Sequence, residues 1–135
     1  MKITTHMLAD EVYEATNETG NKVKIDMRKQ GDKVDQSPVE LVLSALGACG
    51  AVDIVGMLKK RKKSIQKFSI DAEGTRQHEP PRYFTGIHCH YAVTSPDVTE
   101  DELQKATALA LEKYCSVASS LKAKITFTVQ VIRPD

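Results

Sequence analysis

Residues 37–63 read SPVELVLSALGACGAVDIVGMLKKRKK and predict one long helix that is apolar on nearly every side. A helix of this kind has to be covered by other structure. Its single cysteine, Cys49, lies at the middle and is flanked by small residues, among them Gly47 and Gly50. A glycine inside a helix costs about 1 kcal/mol relative to alanine. We therefore expect a second helix or a ligand to approach the chain closely beside Cys49.

The start of this helix is marked by a capping box. Ser37 is predicted at the N-cap, Pro38 at the first helical position and Glu40 at the third. Proline suits the first position because the N–H that it lacks has no partner within the helix anyway. Serine and glutamate can each accept a hydrogen bond from the backbone of the other. Glu40 therefore has a structural reason to be there.

The helix ends in five consecutive cations, Lys59 to Lys63. Such a run is found in nuclear-localisation and nucleic-acid-binding patches. It is also typical of a solvated last turn, where positive charge interacts favourably with the helix dipole. The second interpretation is favoured because no other basic or aromatic cluster supports nucleic-acid binding.

The composition predicts a single domain over residues 1–135. A chain of this size buries roughly two-thirds of its unfolded surface, which is enough for a core. Nineteen basic and eighteen acidic side chains leave a net charge of +1, which argues against whole-surface binding to nucleic acid or to an anionic membrane. The three cysteines are far apart and show no CxxC spacing, so neither a secreted disulfide framework nor a cysteine zinc site is expected.

The location predicted from the sequence is the cytoplasm. Residues 1–20, MKITTHMLADEVYEATNETG, lack the continuous apolar segment of a secretory signal. Within the long helix, the uninterrupted apolar or small run extends only from Leu41 to Val52, whereas a bilayer span needs roughly 20 residues. We expect a soluble protein in a reducing compartment.

Strands and a second helix are predicted around the long helix. Residues 2–28 contain strands at 12–16 and 22–27 around a hairpin loop at 17–21; further strands are predicted at 68–73, 83–94 and 124–132. A second capping box, Thr99 with Glu102, opens another helix; its pattern breaks at 112–116, before a short helix at 117–121. The order βββ–α–ββ–α–β predicts an α+β fold with an antiparallel sheet.

Cys49 and Cys115 are the candidates for chemistry. A thiolate attacks a peroxide, and the resulting sulfenic acid condenses with a second thiol to give a disulfide. If Cys115 begins the short helix, unpaired N–H groups there would lower its pKa. The alternative is that both are small buried hydrophobes, as free cysteines often are. Cys89 lies on the apolar face of a predicted strand and is expected to be structural.

Three segments are similar to the OsmC/Ohr family of thiol-dependent peroxide-handling proteins. They are SPVELVLSALGACGAVDIVGML, the later EKYCSVASSL, and PPRYFTGIHCHY, which resembles the hairpin strand of the OsmC-like subgroup. The resemblance extends from about residue 10 to the end of the chain. It implies a peroxidase that reduces mainly organic hydroperoxides in oxidative-stress defence. It also implies antiparallel sheets wrapped around a long buried central helix, in an intertwined homodimer with two sites at the interface.

The same resemblance implies the roles of the two cysteines. Cys49 would attack the hydroperoxide, Cys115 would resolve the sulfenic acid as a disulfide, and an external dithiol would reduce it. No cofactor, no metal, no nucleic acid and no membrane partner is expected.

The chain departs from the hydroperoxide-reductase branch of the family at one acid and one arginine. That branch has a glutamate directly after the helix-opening proline, working with an arginine from the N-terminal sheet. Here Val39 follows Pro38, and the acid comes one position later as Glu40, a rotation of about 100° around the helix. Glu40 is either a supporting residue of the site or only part of the capping box. Arg28 is the candidate for the activating arginine.

Asp53 lies one helical turn after Cys49, where the two side chains can meet. An unpaired carboxylate there would disfavour a thiolate. Either a cation neutralises Asp53, it points to a different partner, or, as we favour, it is a structural buried acid. His88 and His90 share a strand face and could form a metal site with His78, but solvent-facing histidines are favoured because no acidic third ligand is evident.

Two other classes of function remain open at this point. One is a non-enzymatic redox-sensing or small-ligand-binding homodimer of the same fold, which the displaced glutamate motivates. The other is a metal-binding module that uses the histidines. The separation of Cys49 and Cys115 discriminates first, because a disulfide needs the two α-carbons within about 7 Å.

Overall fold

The computed structural model describes all residues from 1 to 135 and has an α+β fold, as predicted. Six strands form two three-stranded sheets, β1-β2-β3 and β4-β5-β6. The strands are β1 (Ile3–Ala9), β2 (Val12–Asn17), β3 (Lys22–Asp26), β4 (Lys67–Arg76), β5 (Phe84–Thr94) and β6 (Lys124–Ile132). The helices are α1 (Pro38–Lys60), α2 (Glu100–Leu109) and α3 (Ser116–Ser119), with a π-turn at Ala110–Tyr114.

The chain divides into two compact units, Met1–Val42 and Leu43–Asp135. The first unit holds the sheet β1-β2-β3 and the opening residues of α1. The second unit holds the rest of α1, the sheet β4-β5-β6, α2, the π-turn and α3. That residues 1–135 act as a single domain stays a prediction.

The sheet of the first unit consists of two antiparallel hairpins. The predicted loop at 17–21 joins β2 to β3. There Asn17 Oδ1 accepts hydrogen bonds from the backbone N–H groups of Thr19 and Asn21, at 3.1 and 2.8 Å. Gly20 has φ 87°, which a residue with a side chain rarely adopts. The loop therefore owes its shape to one asparagine and one glycine.

The predicted capping box at the start of α1 is present. The Ser37 N–H and hydroxyl donate to Oε1 of Glu40 at 3.0 and 2.8 Å. The Glu40 N–H donates back to the Ser37 hydroxyl oxygen at 3.4 Å. The helix ends at Lys60 rather than at the predicted Lys63, because the chain turns at Lys62, whose φ is 60°.

Only one stripe of α1 is buried within the chain. Its buried residues are Leu46, Gly47, Gly50, Ile54 and Leu58. Val52, on another face, is 72% exposed. Within the single chain, apolar faces of the helix therefore remain uncovered, and the prediction that the whole helix is covered in a homodimer stays a prediction. By length and composition α1 also meets the criterion for a membrane span, with a mean hydropathy of 2.0, although core helices of soluble proteins meet it too.

The second sheet is mixed, which corrects the prediction that it is antiparallel. β4 and β5 form an antiparallel hairpin, but β6 pairs with β5 in the parallel direction. Between β5 and β6 the chain passes through α2, the π-turn and α3. A helical connection of this length lets the next strand return parallel to the first, which a tight hairpin cannot do.

The core of the second unit lies on the inner face of this sheet. On β5, the side chains of Ile87, Cys89, Tyr91 and Val93 are buried, as the alternation predicts. They pack with the buried stripe of α1 and with apolar residues of α2 in one cluster. This arrangement places the middle of α1 against the middle of β5.

The two glycines beside Cys49 allow this close contact. A Cβ added at Gly47 would lie 3.7 Å from Ile70 Cγ2, and one added at Gly50 would lie 3.0 Å from the Tyr91 hydroxyl oxygen. A close approach was predicted here, but from a second helix or a ligand. Within the chain, side chains of the sheet make it.

Candidate functional site

Cys49 lies in the middle of α1, between the buried residues Leu46 and Gly50 and the exposed Val52. Its side chain is half-buried and its thiol is free. It packs against the hydrophobic core without being enclosed by it. A small reagent can therefore reach this sulfur from outside the core.

Cys115 is positioned by the break in helical pattern predicted at residues 112–116. After α2 the chain forms the π-turn, and the Cys115 N–H donates to the Ala110 carbonyl at 2.7 Å. Cys115 then serves as the N-cap of α3, and its Sγ accepts a hydrogen bond from the Ala118 N–H at 3.4 Å. Turns of this kind occur often at functional sites. Here the turn aims a fully buried thiol back into the core.

The fold brings Cys49 and Cys115 together, and both are free thiols. Burial raises the pKa of Cys115 to about 11, and hydrogen bonding with the neighbouring Cys49 adds to the rise. The hydrogen bond from Ala118 acts in the opposite direction but does not outweigh burial. The N–H groups of Val117 and Ala118 at the helix start do lower the pKa as predicted, but loss of solvent is the larger effect and the net pKa is raised.

Tyr91 reaches the same place from β5. Its side chain is fully buried, and its hydroxyl lies against the thiol of Cys89 without a hydrogen bond of good geometry to any group. Burial raises its pKa, and the neighbouring thiols of Cys89, Cys115 and Cys49 raise it further. The edge of its ring packs against Phe68, with 6.3 Å between the ring centroids. The alternation on β5 predicted a core position for Tyr91, but nothing in the pattern revealed an unpaired hydroxyl among thiols.

Cys89 occupies the core face of β5, as predicted. It is fully buried, and burial raises the pKa of its thiol. It lies two residues before Tyr91, so both side chains point to the same side of the sheet. The second unit thus gathers its three cysteines around one tyrosine.

Comparison with known proteins identifies the family. A profile for OsmC-like proteins matches residues 30–130. The chain belongs to the OsmC-like protein family. Protein YhfA of Escherichia coli strain K12 is 36% identical over 110 residues, which are 82% of this chain and 81% of YhfA. The family resemblance predicted from the sequence is confirmed.

Solved structures of OsmC-like proteins share the fold. An OsmC-like protein from Mycoplasma pneumoniae is 22% identical with a TM-score of 0.83, covering 97% of this chain and 96% of its own. An organic hydroperoxide resistance protein OsmC from Legionella pneumophila is 15% identical with a TM-score of 0.65, covering 98% and 97%. At these identities the likeness supports the fold alone.

Arg28, the candidate activating arginine of this OsmC-like chain, is held by a neighbour on its own segment. Its Nη2 donates to Asp26 Oδ2 at 2.7 Å and its Nε to Oδ1 at 3.0 Å. Asp26 is fully buried, and the side-chain hydrogen bonds from Arg28 hold its pKa well below the usual range. The guanidinium is therefore already paired with a carboxylate other than Glu40.

Glu40 uses its Oε1 for the capping box and for a 3.9 Å ion pair with Lys33. The hydrogen bonds from Ser37 lower the pKa of this carboxyl, so it stays ionised. These contacts account for Glu40 as a structural residue. Its supporting role in the OsmC-like site stays a prediction.

Asp53 is half-buried, and its Oδ2 has no hydrogen-bond partner. No cation neutralises it, contrary to one of the alternatives predicted. It lines a pocket of about 300 Å³ whose other walls are Val52, Gly56, Met57, Lys60, Leu109 and Tyr114. An unpaired acid thus lies one helical turn from Cys49.

The histidines lie outside this site. His88 and His90 are on the outer face of the second sheet, where their ring nitrogens interact with side chains of β6, namely Thr126, Thr128 and Gln130. The structure contains no group of three or more His, Cys, Asp or Glu side chains suited to a metal ion. The arrangement of the histidines therefore gives the metal-binding alternative no support.

Proposed function

We propose that this OsmC-like protein is a thiol peroxidase that reduces organic hydroperoxides in oxidative-stress defence. The observation that carries the proposal is the contact between the thiols of Cys49 and Cys115, which are distant in sequence. Relatives of this fold include a protein described as an organic hydroperoxide resistance protein. Two adjacent free thiols of unequal exposure supply the chemistry that such a reaction needs.

In the first step the Cys49 thiolate attacks the O–O bond of the hydroperoxide. An S–O bond forms, the O–O bond breaks, and the alkoxide takes a proton and leaves as an alcohol. Cys49 is thereby oxidised to a sulfenic acid. The assignment of Cys49 to this step is supported by its half-buried position, because Cys115 has no exposed surface.

In the second step Cys115 attacks the sulfur of the sulfenic acid. The new S–S bond joins the two cysteines, and the hydroxyl leaves as water with a proton. An external dithiol then restores both thiols by exchange and is itself oxidised. No cofactor enters this sequence of steps.

The proposal includes a cytoplasmic homodimer of intertwined chains. The apolar faces of α1 that the chain leaves uncovered, with Val52 72% exposed, support a partner of the same kind. Burying such a face against a second copy removes apolar surface from water. A dimer would also meet the expectation that this helix is covered.

A second candidate is a non-enzymatic redox sensor or small-ligand-binding dimer. It is favoured by the pairing of Arg28 with Asp26 and by the use of Glu40 in the capping box. If those pairings persist, the activating arginine and glutamate of hydroperoxide reductases have no counterpart here. Glu40 is retained as a supporting residue on its sequence position alone.

Single-turnover oxidation separates these functions. We expect wild-type protein, mixed with tert-butyl hydroperoxide, to lose two thiols and to form the Cys49–Cys115 disulfide. The Cys115→Ser variant should stop at a sulfenic acid that dimedone traps on Cys49. Hydrogen peroxide, tested in parallel, reports the preference for organic substrates.

The control is Cys89→Ser, which removes the third thiol and should leave both steps in place. If Cys49→Ser consumes hydroperoxide as fast as wild type, the peroxidase proposal is wrong. If the disulfide forms but a dithiol does not sustain turnover, the sensor is the better description.

A further inference from the structure

We propose that Tyr91 is a positioning residue of the thiol pair, its hydroxyl donating a hydrogen bond to the Cys115 sulfur when Cys115 becomes a thiolate. The inference rests on the proposed function, since it concerns the second step of that reaction. It gives a function to the buried Tyr91 hydroxyl, which the chemistry of the two thiols alone does not explain.

The first observation is that the Tyr91 hydroxyl is buried without a hydrogen bond of good geometry, although the neutral thiol of Cys89 lies beside it. Leaving a buried hydroxyl unsatisfied costs about 1–3 kcal/mol. Phenylalanine would fill the same space without this penalty. An unpaired hydroxyl at the centre of a core is therefore a candidate for a donor whose acceptor appears only during the reaction.

The second observation is the space reserved for this hydroxyl. Gly50 follows Cys49 directly, and a Cβ there would lie 3.0 Å from the tyrosine oxygen, closer than nearly all real Cβ contacts. Only glycine at this position leaves the oxygen undisturbed. The hydroxyl is thus held against the turn of α1 that carries Cys49.

The third observation is that a thiolate at Cys115 has to be stabilised by protein groups. It has no exposed surface, so water cannot solvate a charge on its sulfur. The backbone N–H groups of Ala118 and Val117, at the start of α3, are the donors that interact with this sulfur in the resting protein. Cys49, by contrast, is half-buried and open to solvent on one side. Of the two thiols, Cys115 is the one whose thiolate depends on protein donors.

Tyr91 is suited to this role because it remains protonated. Burial and the neighbouring thiols raise its pKa, so its O–H is a donor throughout the physiological range. The ionisable groups that act on it come from three elements: Cys49 on α1, Cys89 on β5, and Cys115 after the π-turn. A hydrogen bond to a charged acceptor is roughly twice as strong as one between neutral groups.

The first test compares Tyr91→Phe with wild type in single-turnover oxidation by tert-butyl hydroperoxide. We expect sulfenic acid formation at Cys49 to change less than twofold. Disulfide formation should slow about tenfold or more, as loss of one charge-assisted hydrogen bond implies. In Tyr91→Phe the rising limb of the pH profile of disulfide formation should move upward by about one pH unit, which is the same tenfold effect. Tyr83→Phe, which removes an exposed hydroxyl, is the matched control.

A second test does not depend on peroxide. Methyl methanethiosulfonate converts the Cys49 thiolate to a methyl disulfide and releases methanesulfinate. The Cys115 thiolate then attacks the Cys49 sulfur, forms the Cys49–Cys115 bond and expels methanethiolate, which takes a proton. Peptide mapping assigns the label to Cys49, and the rate of methanethiol release measures the attack by Cys115.

We expect Tyr91→Phe to slow this release about tenfold and to shift its pH profile upward in the same way. An unchanged rate and an unchanged pH profile would overturn the role of Tyr91. Equal slowing of the labelling and release steps would also overturn it, because that result indicates a general packing defect. If wild type does not react with hydroperoxide but shows the expected release, the peroxidase proposal fails and the role of Tyr91 stands.

Discussion

The carboxylate of Asp26 and the hydroxyl of Tyr91 are both fully buried, yet only the carboxylate is satisfied. In the first unit, Asp26 accepts hydrogen bonds from Nε and Nη2 of Arg28 and from the backbone N–H groups of Arg28 and Val34. In the second unit, the Tyr91 hydroxyl and Asp53 Oδ2 have no partner. Buried polar groups in native proteins are nearly all paired. The contrast separates a unit whose buried carboxylate is fully paired from a unit that leaves buried polar atoms, Thr107 Oγ1 among them, without hydrogen bonds.

The largest effect is expected from Asp26→Asn. An asparagine cannot accept all four hydrogen bonds, and its own N–H₂ opposes the Arg28 donors. We therefore expect Asp26→Asn to lower the melting temperature more than any of the other variants. The pKa of Asp26 is depressed in the folded state, so its contribution to stability is present above about pH 4 and is lost as the pH falls. Thermal unfolding between pH 3 and pH 7 measures both effects.

The matched control for this variant is Asp32→Asn. Asp32 makes a 3.9 Å exposed ion pair with Lys29 and acts on Arg28 through its charge without a hydrogen bond. Such pairs contribute little. Equal melting temperatures for the two variants would show that the buried carboxylate is no more important than the exposed one.

The second effect is the loss of stability at alkaline pH. The folded protein holds the Cys115 proton more tightly than the unfolded chain, since the pKa is raised from 9.0 to about 11. The contribution of this proton to the free energy of unfolding is complete below pH 9 and is lost as the pH rises to 11. Urea midpoints measured across this window should fall with pH, and less steeply in Cys115→Ser. Parallel curves for the two proteins would contradict the assignment.

A smaller effect is expected from Asp53→Asn. Removal of a negative charge one helical turn from Cys49 should lessen the repulsion of an anionic reagent, and alkylation of Cys49 by iodoacetate should accelerate about fivefold. Asp71→Asn, on the exposed face of β4, is the control. A rate equal to that of the control would mean that Asp53 does not act on Cys49.

The smallest effect, and opposite in sign to the first, is expected from Tyr91→Phe. Because the hydroxyl has no partner, its removal should raise the free energy of unfolding by roughly 1 kcal/mol. Denaturant titration against Tyr83→Phe measures the difference. A marked loss of stability would indicate that the Tyr91 hydroxyl is bonded in the resting protein.

Local patterns in the sequence predicted most of the fold. Both capping boxes are present, at Ser37 with Glu40 and at Thr99 with Glu102. The alternation on β5 correctly placed Cys89 and Tyr91 on the core face. The parallel direction of β6 was missed, because strand direction depends on where a long helical connection returns and not on the pattern within the strand. Which stripe of α1 the chain itself buries could not be predicted either, since composition shows that a face is apolar and not what covers it.

The candidate site was predicted in part. Cys49 and Cys115 were singled out by their positions in the chain, the family resemblance added their roles, and the structure brings the two thiols together. The lowering of the Cys115 pKa by the helix start was predicted, but its net rise was not, because the depth of burial is not visible in the sequence. The partner of Arg28 could have been found, since Asp26 lies two residues before it at the end of a strand. The unpaired hydroxyl of Tyr91 could not, because it depends on the space left by Gly50.

The direction in which the Cys115 side chain points depends on the number of residues in the π-turn at Ala110–Tyr114. In a regular helix each residue advances the side-chain direction by about 100°, and this turn accommodates one residue more than an α-helical turn does. The phase of Cys115 relative to α2 is thus set by that extra residue and not by the identity of any side chain. Loss of a single residue from the turn would leave every core residue of α2 in place and still point the sulfur elsewhere.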